Sequence, residues 1–171
     1  MLEKNRPDIA FKSARYGSRR PSTRTLDGKQ EMETLMSAEE DAKRVVRQYV
    51  DAFNRGDLNG LRALLAEDAE IQGVFGKGLF DKIEPIWRQL IEGYGMQLAI
   101  QELVAEGDIV AARYIESGTF RAPAFGHQPT GKSYELVAME WFEIESGKIK
   151  RRWGARDAAS QARQLGLPLD A

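Results

Sequence analysis

The chain has 171 residues, with 25 Lys and Arg against 26 Asp and Glu, one His and no Cys. This length can bury a sizeable core without disulfides or structural metal, and the missing Cys excludes disulfide staples, Cys-ligated zinc, iron–sulfur clusters and thiol catalysis. With His127 as the single imidazole, multi-His metal sites are excluded too, so any catalysis falls mainly to carboxylates, Tyr, Arg and Lys.

The net charge of −1 gives no global attraction to nucleic acid or an anionic membrane. It hides an asymmetry. Residues 1–30 hold eight basic and three acidic side chains, a net +5 that leaves −6 for the remainder. This segment has no apolar periodicity and too little hydrophobic surface to offset its ordering entropy. Residues 1–36 are therefore expected to be a disordered basic tail; it lacks the apolar stretch of a secretory signal. No apolar run of about 18 residues occurs, so no membrane helix is expected, and the location is read as cytoplasmic.

Order is expected from Ser37, where Ser37-Ala38-Glu39-Glu40 fits a capping box. Ala42, Val45, Val46, Tyr49, Val50 and Phe53 then recur at helical spacing. Asn54-Arg55-Gly56-Asp57 ends this helix, and Asp57 can cap a second carrying Leu58, Leu61, Leu64 and Leu65. The run from Gly73 to Gly78 lacks the spacing of a phosphate-binding loop and reads as an ordinary loop. A third helix is predicted with its cap at Asp81 and Pro85 in its first turn, placing Ile83, Ile86, Trp87, Leu90 and Ile91 on one side. Beyond Gly95, strands are predicted over 96–106, 109–120, 132–145 and 148–153, with tight turns at Gly107-Asp108 and Ser146-Gly147. The link 121–131 holds Pro123, Gly126, Pro129 and Gly131 and is too long for a tight hairpin. A short helix over 157–165 closes the chain. Helices followed by long antiparallel strands make one α+β domain, assigned to residues 37–171.

The strand over 132–145 is the most informative. Tyr134, Leu136, Ala138, Glu140, Phe142 and Ile144 share one face, and Glu140 is the one carboxylate in that apolar set. A buried carboxylate is costly without a purpose or a partner. Its burial would raise its pKa toward the range of a general acid or base; the competing reading is a salt bridge to Arg113 or Arg152. His127 sits in the Pro/Gly-rich link, where it either reaches over a pocket mouth or is solvated. Asp157 is either a rim residue or the cap of the last helix. Tyr114 and Glu116 are candidate pocket residues on a strand whose two faces both mix polar and apolar groups. Trp87, Tyr94, Trp141 and Trp153 are scattered without basic interleaving, which fits core or pocket wall better than nucleic-acid stacking.

Residues 45–65, VVRQYVDAFNRGDLNGLRALL, resemble the opening helices of the SnoaL-like branch of the NTF2-like superfamily. Gly118-Thr119-Phe120, Gly126-His127-Gln128-Pro129-Thr130-Gly131-Lys132, Gly147-Lys148-Ile149 and the run Trp153, Asp157, Arg163-Gln164-Leu165-Gly166 extend the resemblance over residues 40–168. It implies an NTF2-like, or cystatin-like, cone: N-terminal helices packed on a curved, mainly antiparallel sheet around one pocket, commonly in a homodimer or higher homo-oligomer. Members include polyketide cyclases that work without metal or cofactor, and relatives that open epoxides, isomerise, dehydrate or hydroxylate. In the cyclases the last strand usually ends H-W-D-x-x-D, whose first Asp is the acid/base. Here the stretch is Arg152-Trp153-Gly154-Ala155-Arg156-Asp157, so Gly154 takes that place and Asp157 matches the second Asp. Phe120 replaces a frequent His, and Glu140 falls where the cyclases place a pocket His.

Glu140 is accordingly the expected acid/base, helped by Tyr114, His127 and Asp157, with Phe53, Trp87, Arg113, Tyr134 and Phe142 as substrate-binding residues. No cofactor and no metal are expected. The expected partner is a small, largely apolar, oxygenated substrate, with neither nucleic acid nor membrane. The alternative is a non-catalytic binding module of the same fold.

Overall fold

The computed structural model describes residues 28–169. Four α-helices and six strands follow one another as α1 (Gly28–Asn54), α2 (Leu58–Leu64), β1 (Leu65–Gly73), β2 (Gly76–Gly78), α3 (Phe80–Arg88), β3 (Gln97–Glu106), β4 (Ile109–Thr119), β5 (Ser133–Glu145), β6 (Lys148–Arg156) and α4 (Ala158–Leu165). The strands form one sheet in the order β2-β1-β6-β5-β4-β3. All neighbours are antiparallel except β1 and β6. The sheet is curved and unclosed, and α1 crosses β3 and β4 while α3 lies on β1 and β2 and α4 on β5. This is the expected α+β cone.

The amphipathic face predicted for α1 is buried, from Ala42 through Val46 and Tyr49 to Phe53. The helix nevertheless begins at Gly28, nine residues ahead of the expected start. Residues 28–36, expected as disordered tail, are helical and exposed, and Ser37 lies within the helix rather than capping it. The remainder of the expected tail, residues 1–27, lies outside the described residues. Asp57 caps α2 as its sequence suggests, accepting from the Gly60 N–H at 2.8 Å.

Two differences matter for the site. The Gly73 to Gly78 run is no ordinary loop: Gly73 closes β1 and Gly76–Gly78 is β2, so the two form a hairpin at the sheet edge. In α3 the cap position is Leu79, with no side-chain cap; Asp81 lies inside the helix and pairs with Arg62. Pro85 falls deeper than the first turn, where it removes an interior N–H donor. The helix ends in a π-helical turn, Gln89–Gly93, and such turns concentrate at functional sites.

On β5 the predicted alternation holds at every position from Tyr134 to Ile144. Its partner β6 runs to Arg156, three residues beyond the expected end at Trp153. Between them Ser146 and Gly147 both have positive φ, 51° and 74°, which a two-residue hairpin of this twist requires.

Candidate active site

The helices and the inner face of the sheet enclose a recess. Its apolar wall includes Phe53 of α1, Ile71 of β1, Ile83 and Trp87 of α3, Leu90 of the π-turn and Met96. Its polar wall is Glu116, Glu140, Arg152 and Arg156. The recess measures about 570 Å3 with its open mouth included.

The strand register arranges the polar groups. Glu140 stands at mid-β5, directly across from Ala112 on β4 and Gly154 on β6. Arg152 and Arg156 flank Gly154 two residues to either side, on the same face of β6. The Glu140 carboxylate contacts Arg152 Nη2 through Oε1, and Oε2 accepts from the Tyr114 hydroxyl at 3.3 Å. Arg152 Nη1 donates to the Gln72 carbonyl at 3.3 Å, and its guanidinium lies 5.9 Å from the Trp87 ring centroid. Of the two arginines open to Glu140 from the sequence, the fold selects Arg152. Arg113 lies on the opposite face of β4, paired with Glu102 at 3.0 Å, and cannot reach the recess.

A second ion pair repeats the pattern. Glu116 accepts from Arg156 Nη1 at 3.0 and 3.1 Å, from the Tyr134 hydroxyl at 3.0 Å and from Gln161 Nε2 at 3.4 Å. All four charged side chains are almost fully buried. Burial pushes the Tyr114 and Tyr134 phenols well above their ordinary value, so both remain protonated donors to the carboxylates. Removing one member of such a pair leaves an uncompensated buried charge, at a cost of about 3–5 kcal/mol.

Phe53 and Trp87 line the recess as expected. Tyr114 and Tyr134 reach its carboxylates from behind the wall. Phe142 instead sits in the core, its ring 5.2 Å from that of Tyr49. Asp157 is the cap of α4, accepting from the Ser160 N–H at 2.8 Å, with an exposed side chain. His127 is half-buried in the link, where its backbone pairs with Ala124, and it does not line the recess. The link reaches the recess mouth through Phe125, whose ring stacks on Phe75 at 4.5 Å. Arg156 is the site residue with no sequence signal of its own, whereas Glu116 is a candidate pocket residue from the sequence and Arg152 a candidate partner of Glu140. Continued alternation along β6 past Trp153 would have placed both arginines on the inner face.

Helices closing one side of a curved, unclosed sheet over a recess with a charged wall are the architecture of the NTF2-like fold. The chain belongs to the SnoaL-like polyketide cyclase family, whose sequence model matches residues 43–165. Among solved structures it is similar to IdmH, a candidate polyketide cyclase from Streptomyces antibioticus, at 26% identity and a TM-score of 0.65, covering 74% of this chain and 99% of that one. A candidate polyketide cyclase from Xanthomonas campestris pv. campestris is 25% identical, with a TM-score of 0.67 and coverage of 75% and 98%. AclR, a candidate hydroxylase from Streptomyces galilaeus, shares the fold at 23% identity and a TM-score of 0.68, with coverage of 76% and 99%. Among curated proteins no significant match is found.

Proposed function

We propose that this protein is a cofactor-independent acid/base enzyme that cyclises a small, largely apolar, oxygenated metabolite of polyketide or terpenoid type in the cytoplasm. The observation that carries this reading is the Glu140 carboxylate, buried in the recess between Arg152 and Tyr114 and directly across the β5–β6 ladder from Gly154. A carboxylate is thus supplied one strand away from the position where the family's cyclases usually carry an Asp. Glu140 is the acid/base. In this reading it acts first as the proton acceptor. Tyr114 orients it, and Trp87 and Phe53 provide the apolar wall. His127 and Asp157 do not line the recess and are assigned no step.

Turnover by wild type and Glu140→Gln, compared in a screen of polyketide-like ketones and epoxides, tests the reading. The substitution keeps size and hydrogen bonding but removes the base, and it should lower kcat by 100-fold or more. Undiminished turnover would remove Glu140 from the mechanism. The fully paired state of both carboxylates favours one other reading, a binding module without catalysis; saturable binding with no turnover of any bound compound would indicate it.

The reading includes a homodimer. On the outer face of the sheet, Val137, Met139 and Trp141 of β5 and Trp153 of β6 are exposed. The register puts Trp141 beside Trp153, making a contiguous apolar patch of a kind that monomers rarely leave in water. Sedimentation velocity should give a dimer for wild type and a monomer for Trp141→Glu. A monomeric wild type at tens of micromolar would refute it.

A further inference from the structure

We infer that Arg152 is itself a catalytic group: it exchanges its bond to Glu140 for one to the enolate oxygen that forms on a carbonyl substrate with an ionisable neighbouring C–H. The inference rests on the acid/base reading of Glu140 and adds the residue that receives the charge.

Three observations converge on it. First, Arg152 and Glu140 both line the recess, and the guanidinium meets the carboxylate there. Second, the Nε–H of Arg152 is buried and has no partner among the described residues. A buried donor left unpaired costs about 1–3 kcal/mol, and a site that keeps one can use it on a ligand oxygen. Third, the guanidinium occupies the space above Gly154, where a side chain would otherwise stand: a Cβ at Gly154 would meet Arg152 Nη2 at 2.7 Å and Cζ at 2.9 Å. The missing side chain and the inserted cation are one arrangement.

The charge balance follows from the pair. When Glu140 takes the proton, the C–H bond breaks and its electron pair becomes the C=C bond. The carbonyl π pair moves onto oxygen, and an O–H bond forms on Glu140. The carboxylate becomes neutral as the enolate becomes anionic, so the net charge in the recess does not change. Arg152 loses one anionic partner and gains another a few ångströms away, within a preorganised low-dielectric wall where such stabilisation is large. In a ring closure the enolate carbon then attacks a second carbonyl of the same substrate. That oxygen takes up the bond pair, and Glu140 returns its proton to it. No oxidant, reductant or second reactant is required.

Binding of 4-nitrophenolate, an oxyanion probe whose ionised form is read directly from its absorbance, tests the inference without any turnover. Glu140→Gln mimics the protonated carboxyl and frees Arg152, so it should bind 4-nitrophenolate at least tenfold more tightly than wild type. The double variant Glu140→Gln/Arg152→Gln carries a neutral pair in place of the ion pair, which guards against loss of folding from an unpaired buried charge. It should bind no more tightly than wild type. Equal binding by the single and double variants, or no binding to either at millimolar probe, would overturn the role of Arg152. The two readings fail separately. Tightened phenolate binding with undiminished turnover in Glu140→Gln would remove the acid/base and leave the oxyanion site, whereas lost turnover with Arg152-independent binding would do the reverse.

Discussion

A Cβ on Gly154 would approach three atoms of the Arg152 guanidinium within 2.7–2.9 Å. The far end of a long side chain usually yields to such an intrusion at little cost. Here it is held by Glu140, by the Gln72 carbonyl and by the face of Trp87. Gly154→Ala should therefore destabilise the fold by about 1 kcal/mol or more through overpacking, and should lower activity by loosening the Glu140 contact. Chemical denaturation measures the first effect and turnover the second. An unchanged midpoint together with full activity would mean that the guanidinium is free to move, and that Gly154 is not tied to the Arg152 position. Gly154 lies outside the left-handed region, so the effect cannot be assigned to backbone strain.

The elements differ in how openly the sequence carries them, and the site inherits the difference. β5 reads clearly because its inner row is apolar apart from Glu140 and its flanks are turn residues; the burial of Glu140 could be anticipated from that alone. β4 does not, because Ile115 and Ala111 on its outer row are as apolar as parts of the inner row. Only the pairing with β5 turns Tyr114 and Glu116 inward and sends Arg113 out to Glu102. β1 was illegible for a geometric reason: its register with β6 shifts between Leu65 and Glu70, which breaks period-two alternation in a stretch already dense in acidic residues. The end of β6 was hidden by Gly154 and Ala155, weak strand formers that persist because they are paired with Glu140 and Met139. In α1 a capping-box pattern at Ser37 imitated a start. The preceding turns, with no buried face, gave no periodic signal that they were helical. Local pattern thus located Glu140 and offered Arg152 as one of two partners, while the choice between them and the second pair, Glu116 with Arg156, required the tertiary register.

At the scale of the molecule, the same folding that buries two ion pairs also buries four phenols, those of Tyr49, Tyr94, Tyr114 and Tyr134. Tyr114 and Tyr134 donate to the carboxylates, and Tyr49 is fully enclosed beside Trp87 and Phe142. In each the largest cause raising the phenol above its ordinary value near 10 is burial. Around Tyr134 the Glu116 charge adds to the rise, while around Tyr49 the Arg152 charge opposes it. The sign follows from proton counts. Below pH 10 folded and unfolded chains both keep these protons, so the groups make stability neither rise nor fall. Above pH 10 the unfolded chain releases them and the folded chain retains them, so stability decreases with rising pH. Denaturant midpoints of the wild type should therefore be level through neutral pH and drop steeply above about pH 10. Tyr134→Phe should flatten part of that drop while leaving the Glu140–Arg152 pair in place, because its hydroxyl serves Glu116 alone among the carboxylates. A wild-type alkaline limb as shallow as that of Tyr134→Phe would show that Tyr134 ionises as readily in the folded chain as in the unfolded one, and that the wall around Glu116 admits hydroxide and water.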